Sequence, residues 1–298
     1  LDAVTSYYTG NPEANREFLR WLKETCTSLD PDSYLVGEAW TDRKSIAALY
    51  ESGIDSLFDF PFGNVDGIIY RAITGDVTAA AYVRGLELYE DTYTQANPDY
   101  IDAPFYTNHD MARSAGYYGA DDGPKTKMAY ALNLFMSGSA FVYYGEEIGA
   151  LGSRGGANTD ANRRLAMYWG DGDTVKNPVG STYAAAQDNG SVETQKPNGD
   201  SLYNHYKKLI MVRKANPEIA YGEFTALSFS GSRAGGFVST YEGKSVAVIH
   251  NTTTKEVTLD LGKATNISFD TLAAVLGNDA TLEGTTLTLQ PQTSVVLR

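Results

Sequence analysis

In Tyr34-Leu-Val-Gly-Glu-Ala-Trp40, a short apolar run leads to one carboxylate, Glu38, which is followed by an aromatic ring. A second run, Ala103-Pro-Phe-Tyr-Thr-Asn-His-Asp110, ends in the same way on an Asn-His-Asp triplet. Polar groups that follow the ends of separate parallel strands meet at one face of a barrel. The two runs therefore predict strands whose functional side chains lie close together.

Residues 1–217 alternate short apolar runs with helical patterns, which predicts parallel strands joined by right-handed crossovers. A doubly wound sheet would fit this alternation, but it would not readily place carboxylates at several strand ends. We therefore predict an α/β fold over 1–217, the second half of a TIM-type (β/α)₈ barrel. One predicted strand ends at Glu38, and three others span Ser56–Phe62, Ala103–Thr107 and Ser139–Tyr144. One predicted helix begins at Asn11-Pro12, and four others span Ser45–Glu51, Val77–Thr94, Lys125–Met136 and Leu202–Ala215. Residues 151–200 are expected to be mostly loop.

The pattern changes after Pro217, where short strand-like runs follow one another at hairpin spacing. Turn signals at Glu242-Gly243 and Asn278-Asp279 separate some of these runs. Residues 218–298 are therefore predicted to form a second domain, a small antiparallel β-sandwich. Its predicted strands are Phe224–Leu227, Gly236–Tyr241, Ser245–His250, Glu256–Leu261, Thr285–Leu289 and Ser294–Leu297.

Charge and composition argue against several classes of partner. A formal net charge of −13 disfavours nucleic acid and anionic membrane surfaces, which attract basic patches. No apolar run approaches the ~20 residues of a membrane span. Cys26 is the one cysteine, so the chain has no internal disulfide, and the sequence shows no Cys/His cluster typical of zinc. We therefore predict no metal site within the chain.

Paired carboxylates beside aromatic rings are suited to glycoside hydrolysis. In a retaining enzyme one carboxylate attacks the anomeric carbon, and a protonated one about 5–5.5 Å away gives its proton to the leaving oxygen. Glu38 and Asp110 are candidates for such groups, and Asp2 is a third. Simpler interpretations exist for each: Glu38 could be a surface ion-pair partner, Asp110 a helix cap and Asp2 a solvated carboxylate. Trp40 could stack on a sugar or merely pack.

Several blocks of the sequence resemble the α-amylase family of glycoside hydrolases, and the similarity covers nearly the whole length. The blocks similar to the family's strands four, five, seven and eight are Leu1-Asp-Ala-Val4, Val36-Gly-Glu-Ala-Trp40, Tyr106-Thr-Asn-His-Asp-Met-Ala-Arg113 and Tyr143-Tyr-Gly-Glu-Glu-Ile-Gly149. Residues 164–169 and 192–213 resemble the family's last loop and helix, and the predicted sandwich resembles its C-terminal domain.

The resemblance implies a role for each candidate position. Asp2 would be the nucleophile, Glu38 the general acid and base, and Asp110 the group that stabilises the transition state. Glu146 and Glu147 lie in the strand-eight block, where we expect structural hydrogen-bonding residues rather than catalysts. The substrate-binding positions would be His109, Asn108, Trp40 and Arg113.

The leading hypothesis is hydrolysis of α-1,4-linked glucans such as starch and maltooligosaccharides, with retention through a covalent glycosyl-enzyme intermediate. An α-1,6-glucosidase or a transglycosidase of the same family is the closest alternative, although the small Ala3 beside the nucleophile favours α-1,4 specificity through the resemblance. A non-catalytic sugar-binding or scaffold relative is a different class. Such relatives usually lose the carboxylates, and all three positions are kept here.

The family's first four barrel strands, its first Asp/His block and most of its calcium ligands would lie ahead of Leu1. We therefore expect an internal start to the chain, with the missing half of the barrel, or self-association, covering an open sheet edge. The fragment by itself is expected to show little activity. Calcium is expected only in the complete protein, and a secreted or cell-surface location would suit a starch-degrading enzyme.

Overall fold

A computed structural model describes residues 1–118, 123–153, 160–183 and 189–298. The predicted loop over 151–200 therefore lies partly outside the described residues. Within the described part, that stretch contains one short helix, α6, and is otherwise irregular. The α-helices are α1 (Pro12–Leu29), α2 (Arg43–Tyr50), α3 (Ile68–Thr74), α4 (Ala79–Ala96), α5 (Pro124–Leu134), α6 (Val192–Gln195), α7 (Leu202–Ala215), α8 (Glu218–Tyr221) and α9 (Leu261–Ala264).

The strands are short in the first part of the chain and longer in the second. They are β1 (Val36–Gly37), β2 (Ser56–Leu57), β3 (Glu223–Leu227), β4 (Gly235–Tyr241), β5 (Lys244–Asn251), β6 (Val257–Asp260), β7 (Leu272–Gly277), β8 (Ala280–Glu283), β9 (Thr286–Leu289) and β10 (Thr293–Leu297).

The longer helices begin where the sequence places a cap. The Asn11 side chain accepts a hydrogen bond from the Ala14 amide, and Pro12 occupies the first turn of α1, where no intrahelical amide bond is lost. Thr78 caps α4 and Ser201 caps α7 in the same way. The sequence patterns did not predict α3, which follows β2 and is capped at its C-terminal end by Gly75.

A series of parallel extended segments forms the inner layer of residues 1–217. β1 pairs with β2 in parallel, and Phe58 continues the series through a parallel bridge to Ala103. The amides of Ser139 and Phe141 donate to the carbonyls of Asp102 and Pro104, both at 2.8 Å, which is the alternate-residue spacing of a parallel pair. The segments therefore follow one another in chain order, as in half of a (β/α)₈ barrel.

The predictions of regular strands over Ala103–Thr107 and Ser139–Tyr144 are wrong. Only Ala103 forms a bridge in the first segment, and the second is extended without regular strand structure. In the described part of the chain, the backbone hydrogen bonds of 139–141 to a neighbouring segment go to 102–104 alone. The second segment is therefore an edge with unpaired backbone groups on one side. The first segment is bonded on both sides, but Pro104 has no amide hydrogen to contribute to a ladder.

Residues 1–4 add a further segment at the opposite edge of this series. The Leu1 nitrogen donates to the Val36 carbonyl at 2.7 Å, and the Glu38 amide donates back to the Leu1 carbonyl at 2.9 Å. Gly37 permits this approach, since a β-carbon there would lie 3.0 Å from the Val4 side chain and 2.9 Å from that of Leu57. The pairing brings Asp2 to the end of β1.

Two antiparallel sheets form the C-terminal region. Their strand orders are β3-β4-β5-β10-β7 and β6-β9-β8. One hydrophobic core lies between the two sheets, and another joins the five-stranded sheet to helices of the preceding region. The patterns missed β7 and β8, and the run predicted as Glu256–Leu261 is β6 followed by α9. The predicted boundary at 217/218 falls at the start of α8 and stays a prediction.

Buried carboxyl groups lie on the helix-facing side of the parallel segments. Asp59 and Asp102 are buried, which raises the pKa of Asp59 well above its ordinary value and that of Asp102 to about 7. Burial also raises the pKa of Glu90, on α4, to about 7. The Tyr93 hydroxyl donates to Asp59 at 3.3 Å. None of these groups lines the cavity described below.

The buried carboxyls predict a pH-dependent stability. Because their folded pKa values lie above the unfolded ones, their contribution to the unfolding free energy is full at low pH and is lost as the pH rises from about 4 through about 7. Urea unfolding across this range should show stability falling, and Asp102→Asn should flatten the fall. Equal slopes for the two proteins, or stability rising with pH, would contradict this expectation.

Candidate active site

One cavity of about 440 Å³ opens at the ends of the parallel segments. Its floor is aromatic, and Phe58 and Phe141 meet there edge to face, with ring centroids 4.8 Å apart. Polar groups lie around the floor, so the site combines an apolar base with a few directed polar atoms, as small-molecule sites do. The lining residues are Leu1, Asp2, Glu38, Phe58, Phe105, Thr107, Asn108, His109, Phe141, Val142 and Tyr143.

Glu38 is half-buried and directly follows β1, as the sequence predicted. Burial raises the pKa of its carboxyl group, and a hydrogen bond with Asp2 and the negative charges of Asp2 and Asp110 raise it further. The Ala3 amide donates to Glu38 Oε2 at 3.2 Å and acts in the opposite direction. A raised pKa keeps a carboxyl group protonated closer to neutral pH, which is what a proton donor needs.

Asp2 shares the cavity with Glu38 but is exposed to solvent. The residue beside it, Ala3, has a φ of 44°, a left-handed conformation that few non-glycine residues adopt. This conformation accompanies the contact between the Ala3 amide and Glu38, while the Val4 amide donates to the Glu38 carbonyl at 2.9 Å. The start of the chain and the end of β1 are thus joined at the two carboxylates.

Asp110 lies beside the cavity and is held by groups distant in sequence. Arg164 Nη2 lies 2.6 Å from Asp110 Oδ1, and its Nε donates to the His109 carbonyl at 3.2 Å. The Asp110 amide donates to Asn108 Oδ1 at 2.9 Å, and His109 Nε2 lies 3.7 Å from Asp110 Oδ2. Since Asp110 also contributes to the pKa shift of Glu38, the carboxylates share one electrostatic environment.

Arg164 pairs with Asp110 in the structure, although its sequence context predicted no role for it. No local pattern could have predicted this pair, because Arg164 lies in a loop 54 residues away from Asp110 in the sequence. Two other predicted substrate-binding residues are not in the cavity lining. Trp40 is 53% exposed and stacks on Phe60 with ring centroids 4.9 Å apart, which leaves one face open.

Arg113 is the second of these, and its side chain is buried rather than directed at the cavity. Its guanidinium lies over the rings of Tyr143 and Tyr144, 4.5 and 4.7 Å from their centroids, and Nη1 donates to the Tyr144 carbonyl at 2.5 Å. The aromatic pair and the carbonyl occupy its polar head, so Arg113 is not among the residues that line this cavity, and its predicted substrate contact stays a prediction. His109 and Asn108 do line the cavity.

No group of three or more His, Cys, Asp or Glu side chains is arranged to hold a metal ion within the ranges that the structure describes. The expectation that this chain holds no metal of its own stays a prediction, and the chemistry below uses only its side chains. Across the same residues, no helix is long and apolar enough to cross a membrane.

Comparisons with known proteins agree with this fold. The family model described as "Alpha amylase, catalytic domain" matches residues 2–222, and "Alpha-amylase SusG C-terminal domain" matches 235–296. The chain is 29% identical over 257 residues to alpha-amylase 3 of Dictyoglomus thermophilum (84% of this chain, 49% of that protein) and 30% identical over 234 residues to alpha-amylase SusG of Bacteroides thetaiotaomicron (76% and 32%).

Among solved structures, Eubacterium rectale Amy13B superposes with a TM-score of 0.91 at 37% identity, covering 100% of this chain and 58% of that one. The chain thus spans about half the length of the proteins it matches. Because the catalytic-domain model covers most of the chain, the chain belongs to the α-amylase family of glycoside hydrolases. The predicted resemblance and the partial-barrel and sandwich fold are confirmed.

Proposed function

We propose that this chain supplies catalytic groups for the retaining hydrolysis of α-1,4-linked glucans, such as starch and maltooligosaccharides. The observation that carries the proposal is the pairing of Asp2 with a half-buried Glu38 of raised pKa in one cavity. One exposed carboxylate that can attack and one carboxyl group whose raised pKa favours its proton-carrying form are the two groups that a double-displacement mechanism requires. The family and the names of its α-amylase members support the substrate class.

In the first step, an Asp2 oxygen attacks the anomeric carbon while Glu38 gives its proton to the leaving glycosidic oxygen. The product of that step is a glycosyl ester on Asp2, with Glu38 ionised. Glu38 then takes a proton from water, which attacks the same carbon and releases Asp2. Two displacements at one carbon restore its original configuration.

Asp110 stabilises the positive charge that develops on the sugar ring between these states. Arg164 directs the Asp110 carboxylate at 2.6 Å. The Asn108 side chain holds the same residue by accepting a hydrogen bond from the Asp110 backbone amide. His109 and Asn108 offer hydrogen-bonding groups to sugar hydroxyls at the cavity wall. The open face of Trp40 can stack on a further sugar outside the cavity, since only one face is covered by Phe60.

The stereochemical course tests this proposal directly. NMR spectra of maltoheptaose during the first minutes of hydrolysis should show new reducing ends in the α configuration, before mutarotation mixes the anomers. Spontaneous mutarotation of authentic α-maltose under the same conditions is the control. New β-anomer ahead of α-anomer would mean an inverting mechanism, and Asp2 would then need another role.

The same chemistry with another linkage or acceptor is the second candidate. The preference for α-1,4 over α-1,6 links is inferred from Ala3, the small residue beside Asp2, and this inference depends on the family resemblance alone. Product analysis on maltotriose and isomaltotriose separates these specificities, and longer products than the substrate would reveal transglycosylation. A sugar-binding relative without catalysis would retain both substrates unchanged.

We also propose that a further polypeptide or a second copy of this chain covers the open edges of the parallel series. Leu1 and Val142, which belong to the segments at opposite edges, are each 42% exposed, although both line the cavity. Parallel segments with an uncovered inner face do not close a barrel, and unpaired edges invite association. Any calcium requirement is proposed only for the completed assembly.

A further inference from the structure

Glu146 is a buried carboxyl group that the proposed mechanism does not use. Its residue is 1% exposed, and it begins a short 3₁₀ helix, Glu146–Ile148, after the last extended segment. One carboxyl oxygen, Oε1, accepts a hydrogen bond from the Thr107 hydroxyl. The other, Oε2, accepts from the Tyr206 hydroxyl at 3.3 Å. A buried carboxyl group with both oxygens directed is costly unless its position matters.

Thr107 connects this group to the candidate active site. It lines the cavity and directly precedes Asn108, His109 and Asp110. The other end of the same loop is tied to the same turn, because Arg113 Nη1 donates to the Tyr144 carbonyl at 2.5 Å. Both ends of 107–113 are therefore anchored on 144–146.

The anchoring turn is itself tightly fitted. Gly145 has a φ of 87°, and a β-carbon there would lie 2.7 Å from Arg113 Nη1. The Tyr130 hydroxyl donates to the Glu146 carbonyl at 2.9 Å, so a hydrogen bond from α5 also stabilises the turn. No larger residue fits at 145 without displacing the guanidinium that closes the loop.

We propose that Glu146 is a positioning residue, which fixes the Asn108-His109-Asp110 loop through Thr107 while Tyr144 fixes it through Arg113. This inference rests on the proposed function, because the loop matters to the extent that Asp110 and His109 meet a substrate. Placement errors near 1 Å can cost about 100-fold in rate, so an anchored loop end has catalytic value.

Burial raises the pKa of Glu146 to about 7, and the Thr107 and Tyr206 hydroxyls and the Arg113 charge oppose that shift. The Thr107 contact survives either protonation state, since one carboxyl oxygen can accept in both. Loop anchoring should therefore be less sensitive to pH than a salt bridge would be. The ionisable groups that act on or are influenced by this carboxyl are Arg113, Tyr117, Tyr130, Glu147 and Tyr206.

Hydrogen exchange on the 298-residue chain tests the anchoring without any assay of activity. The reporter amides are those of Asp110, Met111 and Arg113, which are bonded to Asn108 and Gly152. Thr107→Val and Glu146→Leu should each speed their exchange at least about tenfold, the loss expected for a hydrogen bond to an ionisable group. The double variant should add little to either single one, because both break the same contact. Thr107→Ser and Glu146→Gln should retain slow exchange.

Tyr206→Phe is the matched control, since it removes the other bond to Glu146 and leaves the Thr107 contact. It should lower the melting temperature without changing exchange of the reporter amides. The inference is overturned if folded Thr107→Val and Glu146→Leu chains exchange like the wild type, or if Tyr206→Phe loosens the loop equally. In an active assembly kcat should follow the same order of variants. If the variants change exchange of the reporter amides as expected but the completed assembly does not hydrolyse glucans, the proposed function is refuted and the anchoring role of Glu146 stands.

Discussion

Replacing Glu38 with Gln should lower the turnover of α-glucan hydrolysis by about 10³-fold or more in an assembly with a completed site, because the amide cannot donate and recover the proton. The shape of the side chain is kept, and its Oε1 can still accept from the Ala3 amide, so glucan binding should change little. Initial rates on soluble starch, with binding of maltoheptaose measured by calorimetry, separate the two effects. Near wild-type turnover in Glu38→Gln would refute the assignment of Glu38 as acid and base.

Asp2→Asn is the companion variant for this test. It removes one hydrogen bond and one negative charge that raise the pKa of Glu38, so the NMR-detected pKa of Glu38 should fall toward its ordinary value while burial still holds it above. Glu51→Gln is a matched control, since Glu51 is a carboxylate outside the cavity that pairs with Arg16. An unchanged pKa of Glu38 in Asp2→Asn would show that the two carboxyls are not coupled.

Covering the open edges of the parallel series should have the second largest effect on the rate of glucan hydrolysis. Light scattering on the purified 298-residue chain should show either a self-associated species or a monomer with little starch hydrolysis, because the inner face at Leu1 and Val142 is exposed. Coexpression with a polypeptide that supplies the other half of an α-amylase-type barrel should then raise hydrolysis by about 100-fold or more, the scale set by correct placement of reacting groups.

Val142→Lys distinguishes the ways of covering the edge. A charge at this exposed position should weaken self-association or assembly, whereas Val179→Lys, at a residue 93% exposed and outside the cavity lining, should not. If activity rises with protein concentration in step with the size measured by light scattering, a second copy completes the site. A stable, fully active monomer would show that the open edges need no cover.

Local sequence signals were sufficient for several elements. Asn11-Pro12 predicted the start of α1, because capping depends only on neighbouring residues. Alternation and the Glu242-Gly243 turn predicted the β4-β5 hairpin, whose strands pair from Gly235 with His250 to Tyr241 with Lys244. The parallel order of segments also followed from the alternation of apolar runs and helices in the sequence, and this placed Glu38 at the end of β1.

Contacts between distant residues could not be predicted in this way. Arg164 pairs with Asp110 across 54 residues, and Arg113 turns away from the cavity onto two tyrosines and a carbonyl. The Ser139–Tyr144 run has strand composition but pairs on one side, and composition does not report how many neighbours a segment has.

Side-chain type and apolar periodicity are local properties, so they were sufficient to predict which carboxylates could do chemistry and that these would follow parallel segments. How the carboxylates are held depends on contacts between distant segments, which local patterns do not report. The pairing of Leu1 with β1 brings Asp2 to Glu38, and Glu146 and Arg113 tie the 107–113 loop to one turn. These arrangements depend on packing and hydrogen bonds between segments far apart in the chain, whose energies are set by three-dimensional proximity.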